Sequence, residues 1–224
     1  MIIQTLLPII LSSISKSQRK LPCGGKFTLL FIRNIKFNII TDNNYKMELS
    51  VTKNDVLQMQ KPSDKFFVKL QDNIYGVRFI GFKIRDCDKG TIFHEFRADS
   101  IYDLDIFAEL ELEYHFPQEI LKTKTIGTNL TFVVGNQPVQ KLDFIERHYI
   151  YDTLVGNYTF DFPFFMPNSE NNIEFIYNIP KLPKQALEDI ANGRDIPARS
   201  DTFIFVNGKL VIHRRAKYLY KPNN

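Results

Sequence analysis

Four histidines, His94, His115, His148 and His213, are the side chains best suited to metal binding or acid–base work. Their spacing serves neither use. No two stand at metal-ligand spacing and no cysteine pair accompanies them, so each reads as a strand-surface residue. Asp86-Cys87-Asp88 opens like a calcium loop, but the later oxygen ligands are missing. No phosphate loop, dinucleotide fingerprint or nucleophile elbow occurs. The sequence therefore assigns no catalytic residue, no metal ligand and no cofactor, and the chain reads as a non-enzyme. The densest polar cluster is Glu146-Arg147-His148, set in an otherwise apolar run. It fits a polar anchor at a pocket, or an exposed strand face with local ion pairs. Residue types alone lean to the second.

A different chemistry is written in Tyr158-Thr-Phe160-Asp-Phe162-Pro-Phe164. A ring stands at every second position, which is the period of one face of a strand. Such a row either plugs a sandwich core or lines an apolar cavity.

The elements that would hold these rings are short and β-like. Tyr75 to Arg85 reads as a strand, with Tyr75, Val77 and Phe79 on one face, and Phe66 to Leu70 as another. Asp86 to Gly90 is a turn, since Asp bonds its own backbone and Gly supplies positive φ, and Thr91 to Arg97 returns. Further strands are expected over Ile106–Phe116, Asn129–Val134, Val139–His148 and Gly156–Phe165. Asn207-Gly208 joins a two-residue hairpin, and Tyr218 and Tyr220 belong to a last alternating strand. Thr52 to Asp55 reads as a short capped helix or a turn. Pro183 to Gly193 is the convincing helix, with Leu187 and Ile190 as its stripe. The pattern predicts an all-β, antiparallel β-sandwich with one short helix.

The chain has 224 residues, enough for one domain with a sizeable core. Twenty Phe and no Trp suit sheet faces. A formal charge of +4, without a dense basic stripe, argues against nucleic acid. Two cysteines, Cys23 and Cys87, cannot build a disulfide framework, which favours a reducing compartment. The apolar run within Met1–Ser13 is too short to span a bilayer and lacks a preceding basic residue, so no stable membrane insertion is expected. The sequons at Asn129 and Asn157 are weighed below cytoplasmic residence. Residues 1–46 form an unassigned, flexible N-terminal extension, and 47–224 the folded domain.

Several segments together resemble one family. They are Asn73-Ile-Tyr75, Phe82-Lys-Ile-Arg-Asp86 with Asp88-Lys-Gly-Thr91, Val134-Gly135 with Pro138-Val139, and Phe144-Ile-Glu-Arg-His-Tyr149. Tyr158 to Pro167, Ile176-Tyr177 with Pro180, and Ser200 to His213 complete the set. Their order is similar to that of the uncoordinated-one-nineteen (Unc-119) lipid chaperones, in the superfamily of the GMP phosphodiesterase delta subunit, over about residues 50–220. The Ile-Glu-Arg-His-Tyr and Phe-x-Ile-Arg-Asp blocks favour the acyl-binding over the prenyl-binding branch. The resemblance implies an immunoglobulin-like sandwich with a lipid pocket between its sheets. It implies partners that are N-myristoylated cargo proteins, trafficked in the cytoplasm or to cilia, and release by an Arf-like small GTPase in its GTP state. A prenyl-binding solubilising factor and a lipid-free adaptor are the alternatives.

Carried over by position, the lipid-binding set is Phe79, Phe82, Ile84, Tyr114, Ile120, Glu146, Phe160, Phe162, Phe164, Ile179 and Ile204. Glu146 matches a glutamate near the acylated end of cargo. Ile120, Ile179 and Ile204 stand where the family leads one to expect Phe, Phe and Tyr. These changes keep the wall apolar but remove a hydroxyl at Ile204.

Overall fold

A computed structural model describes residues 35–38, 50–98 and 111–221. The extension expected over 1–46 lies outside the described residues except for 35–38, and the strand expected from Ile106 is described only from Glu111. The chain divides into two compact units, Met1–Lys36 and Phe37–Asn224, and the site lies in the second.

The strands are β1 (Ile35–Asn38), β2 (Arg78–Asp86), β3 (Ile92–Arg97), β4 (Glu111–Pro117), β5 (Thr125–Val133), β6 (Leu142–Ile150), β7 (Thr153–Phe162), β8 (Glu170–Asn178), β9 (Ala198–Val206) and β10 (Lys209–Lys221). They form a six-stranded sheet in the order β1-β4-β10-β9-β6-β7 and a four-stranded sheet in the order β3-β2-β5-β8. This is an all-β sandwich. Among the ladders with a described register, one departs from the antiparallel pattern: β10 pairs with β4 in parallel, Tyr218 opposite Tyr114. The two strands are far apart in sequence, as a parallel pair requires, since no tight turn can join it.

The turns follow local chemistry. Asp86 Oδ1 accepts from the backbone N–H groups of Asp88 (2.8 Å) and Lys89 (3.1 Å), and Gly90 takes φ 73°. Asn207 and Gly208 both have positive φ, 51° and 82°, as a two-residue turn matched to strand twist demands. Within β2 the register passes from Phe79–Phe132 to Gly81–Thr131, so Ile80 is an extra residue. That bulge shifts the alternation and puts both Phe79 and Phe82 on the inner face.

Among the described residues two α-helices form rather than one. The first, α1 (Lys53–Gln58), has a capping box: Asp55 N–H donates to Thr52 Oγ1 (3.2 Å) and Thr52 N–H to Asp55 Oδ2 (2.9 Å). The second, α2 (Lys184–Ala191), follows Pro183 and buries Ala186 and Ile190, an i, i+4 pair, while Leu187 is exposed.

Phe66 to Leu70 is not a strand. Its first residues end a strap, residues 51–68, that packs over the outer face of the six-stranded sheet, and Leu70 opens a 3-10 turn, Leu70–Asp72. Val56 buries against Ile145, Phe203 and Phe205, and the rings of Phe66 and Phe67 pack on His213. Consecutive rings can bury on one surface only if the backbone leaves strand geometry. Polar anchors hold the rest. Arg147 Nη2 donates to Met59 O, Ser63 Oγ donates to Asp201 Oδ1 (2.8 Å), and Lys53 Nζ bridges Asp143 (2.8 Å) and Asp161 (3.1 Å).

His213 is thus a buried residue, not a surface one. Phe67 N–H donates to its Nδ1 (3.2 Å), so the ring proton sits on Nε2, facing Ser63 and Asp201. Burial lowers its pKa, against the opposing pull of Asp201. An unfolded histidine titrates near 6.5, so below that pH the unfolded chain binds more protons than the folded one. The stability from neutral His213 is therefore present above about pH 6.5 and lost as pH falls; His94, also lowered by burial, acts in the same sense. Urea midpoints at pH 7.5 and 5 should show this loss, and His213→Gln should reduce the slope.

Candidate functional site

The inner faces of the sheets meet in two zones. In the first, Phe175 of the four-stranded sheet packs against Phe144 (centroids 4.4 Å) and Phe160 (4.5 Å) of the other, with Phe162 at 5.6 Å. This zone, with Phe79, Leu142, Ile204 and Val206, is closed core. In the second, the sheets part around a cavity of about 100 Å³. That is room for on the order of seven to ten water-sized spheres.

Period two places the wall residues. On β6, Leu142, Phe144, Glu146 and His148 face inward, while Asp143, Ile145 and Arg147 face the strap. On the parallel β4–β10 ladder, Tyr218 lies beside Tyr114 and Tyr220 beside Phe116. The rings of Tyr114, Phe116 and Tyr218 stack on one another at centroid distances near 6.0 Å. Phe82, Ile84, Ile126, Thr128 and Tyr177 supply the opposite wall. A one-turn 3-10 helix, Gln118–Lys122, brings Ile120 and Leu121, and the segment before α2 brings Ile179 and Leu182.

The polar groups of the wall are mostly satisfied within it. Tyr218 and Ser200 hydroxyls are 2.6 Å apart, Tyr177 and Thr128 hydroxyls 3.0 Å, and Tyr158 donates to Asn178 O at 2.8 Å. Glu146 is the one carboxylate on the described wall, with Oε1 2.8 Å from His148 Nε2. Burial pushes the phenols of Tyr114 and Tyr158 up to about 12, with the charge of Glu146 adding to it; Tyr177 and Tyr218 are raised by the same causes in the same order. Burial alone raises Tyr220 to about 12. These five phenols therefore stay protonated at physiological pH. Among the described residues no group of three or more His, Cys, Asp or Glu is placed to hold a metal.

Of the residues expected at the site, Phe82, Ile84, Tyr114, Ile120, Glu146 and Ile179 line this cavity. Phe79, Phe160, Phe162 and Ile204 belong to the closed zone. Phe164 leaves the row altogether: β7 ends at Phe162, Pro163 follows, and Phe164 is 49% exposed. Glu146-Arg147-His148 is not an exposed face, since Arg147 is 1% exposed and its neighbours turn into the cavity. His148 and Phe116 also line it and were legible by parity from Glu146 and Tyr114, whereas Tyr218 and Tyr220 reach it through the pairing of β10 with β4. Ile126, Leu121 and Leu182 carry no local signal.

The fold and site define a β-sandwich binding protein with an apolar internal cavity. A match to the family described as GMP-PDE, delta subunit covers residues 71–220. The chain is 37% identical over 180 residues to protein unc-119 homolog B of Danio rerio, covering 76% of this chain and 74% of that one. It is 35% identical over 176 residues to protein unc-119 homolog B of Homo sapiens (74% and 70%) and 35% over 187 residues to protein unc-119 of Caenorhabditis elegans (81% and 85%). The chain belongs to the GMP phosphodiesterase delta-subunit family, with the Unc-119 proteins. With that membership comes a lipid-binding, solubilising and trafficking role of non-catalytic type. Among the described residues no helix is long and apolar enough to cross a membrane.

The two zones make different mutational predictions. Phe175→Ala removes a buried ring from the closed core and should cost about 3 kcal/mol. Ile179→Ala, at a half-buried position on the cavity wall, should cost about 1 kcal/mol. Chemical denaturation of both variants checks the contrast.

Proposed function

We propose that this protein binds the N-terminal myristoyl chain of cargo proteins, keeps them in solution and carries them between membranes, in the cytoplasm and to cilia. The observation that carries the reading is the cavity itself: a slot between two sheets, walled by rings and aliphatic side chains, with one carboxylate. Burying an acyl chain is worth ~0.8 kcal/mol per methylene, so a myristoyl chain gains on the order of 10 kcal/mol before the costs of binding. A slot for such a chain needs apolar walls, with recognition left to a few polar groups. Phe82, Ile84, Tyr114, Ile120 and Ile179 serve as wall, and Glu146 accepts backbone N–H groups of the first cargo residues, a charge-assisted contact.

Release falls to an Arf-like GTPase in its GTP form. It acts by binding a more open arrangement of the sandwich better than the closed one, which lowers cargo affinity by the same coupling free energy.

A myristoylated peptide beginning with Gly should bind at submicromolar affinity, and its unacylated counterpart should not. Equal binding of the two would overturn the reading, and a farnesylated peptide that outcompetes the myristoylated one would replace it with a prenyl carrier. Glu146→Ala should weaken acyl-peptide binding with a nearly unchanged melting temperature.

A further inference from the structure

Glu146 and His148 are neighbours on the inner face of β6, one pleat apart, with side chains 17% and 21% exposed. The carboxylate has no proton to give when ionised, so His148 Nε2–H donates to Oε1 at 2.8 Å. The imidazole is itself held. It stacks on Tyr218 at 5.8 Å and 14°, and meets the edge of Tyr158 at 5.6 Å and 88°. Its cross-strand partner on β7 is Gly156, which puts no side chain in its way. Tyr218 is fixed in turn by the Ser200 hydroxyl at 2.6 Å. The Glu146 carboxylate therefore takes its orientation from a ring that has one place to sit. Among the described residues, no hydrogen bond to Oε2 occupies the second oxygen.

We propose that His148 is a positioning residue: it holds one oxygen of Glu146 so that the other faces the cavity as an acceptor, and the site thereby takes chains headed by an N–H donor, such as an N-acylated amine, over chains headed by a carboxylate. The inference rests on the acyl reading above. A fatty-acid carboxylate would meet Glu146 as a like charge in a poorly solvated wall, whereas an amide N–H completes the acceptor. The specificity lies at the head of the chain, because the apolar walls treat equal hydrocarbon tails alike.

The test uses two probes with the same tail, a myristoylated Gly-starting peptide and myristate, on the full chain. Wild type should prefer the peptide. His148→Phe keeps a stackable ring without a donor and should weaken peptide binding on the order of tenfold, with little change for myristate. His148→Gln keeps an N–H donor and should restore most of the peptide affinity. His148→Phe combined with Glu146→Gln should be no weaker than Glu146→Gln alone, because the two act as one unit. His115→Gln is the control: His115 forms a like pair with Glu113 (3.0 Å), does not line the cavity, and should leave both affinities unchanged. His148→Phe binding like wild type, additive losses in the double variant, or parallel losses for both probes would overturn the positioning role. Equal wild-type affinity for the two probes would overturn head-group selection and leave the acyl reading standing. If neither probe binds wild type, the acyl reading falls and this inference with it.

Discussion

Phe175 decides where the two sheets touch and where they part. Its ring, from β8, is wedged among Phe144, Phe160 and Phe162 at centroid distances of 4.4, 4.5 and 5.6 Å. Tilted and edge-on contacts of this kind stabilise more than their area alone. On one side of this weld the interior is filled by Val, Leu and Phe side chains. On the other, one strand repeat along, Tyr158 meets Tyr177 at 4.5 Å, and beyond that pair the walls separate. The cavity is the part of the sandwich that the weld does not reach.

The weld would be of little use if the large sheet could flex freely. Its central strands β6, β9 and β10 are buried on both faces, inward by the core and outward by the strap. Arg147, Asp201 and His213 stand on the outer face at 1%, 1% and 2% exposure, and each has a partner on the strap. Glu111 is similarly buried between Arg215 (3.3 Å) and Lys217 (2.6 Å). Charges so placed add little net stability, but removing one partner leaves an uncompensated buried group. They fix the register of the strap on the sheet, and through it the faces that β6 and β9 turn to the cavity.

Most of the architecture was legible because it rests on period two and on turn residues. Asp86, Gly90 and Asn207-Gly208 mark turns for local reasons, and the structure keeps them. Phe66 to Leu70 misread as a strand because two adjacent rings bury on one surface, which no alternation encodes. The row from Tyr158 to Phe164 was half right. Parity put Tyr158, Phe160 and Phe162 inward, but parity is blind to distance along the strand, and Phe160 and Phe162 fall within the weld while Tyr158 borders the cavity. Pro163 ends β7 and frees Phe164 from the alternation. Ile120, Leu121 and Leu182 reach the cavity through a single 3-10 turn and a loop, where tertiary position alone decides what they touch.

The same alternation explains how a carboxylate persists in the cavity wall. Arg147 is the cation adjacent to Glu146 in the chain, and in a loop the two would pair. On a strand they point to opposite sides of the sheet, and Arg147 spends its donors on Met59 O, Asn157 Oδ1 and Tyr149 Oη. Two residues along, period two returns a side chain to the face of Glu146, and that side chain is His148, which supplies one directed N–H. An arginine there would take both carboxylate oxygens in a fork and leave no acceptor for a ligand. Histidine takes one oxygen and leaves the other. The polar end of the cavity thus follows from the order Glu-Arg-His on a strand buried on both faces, with the strong cation sent outward to the strap and the weak donor kept inside.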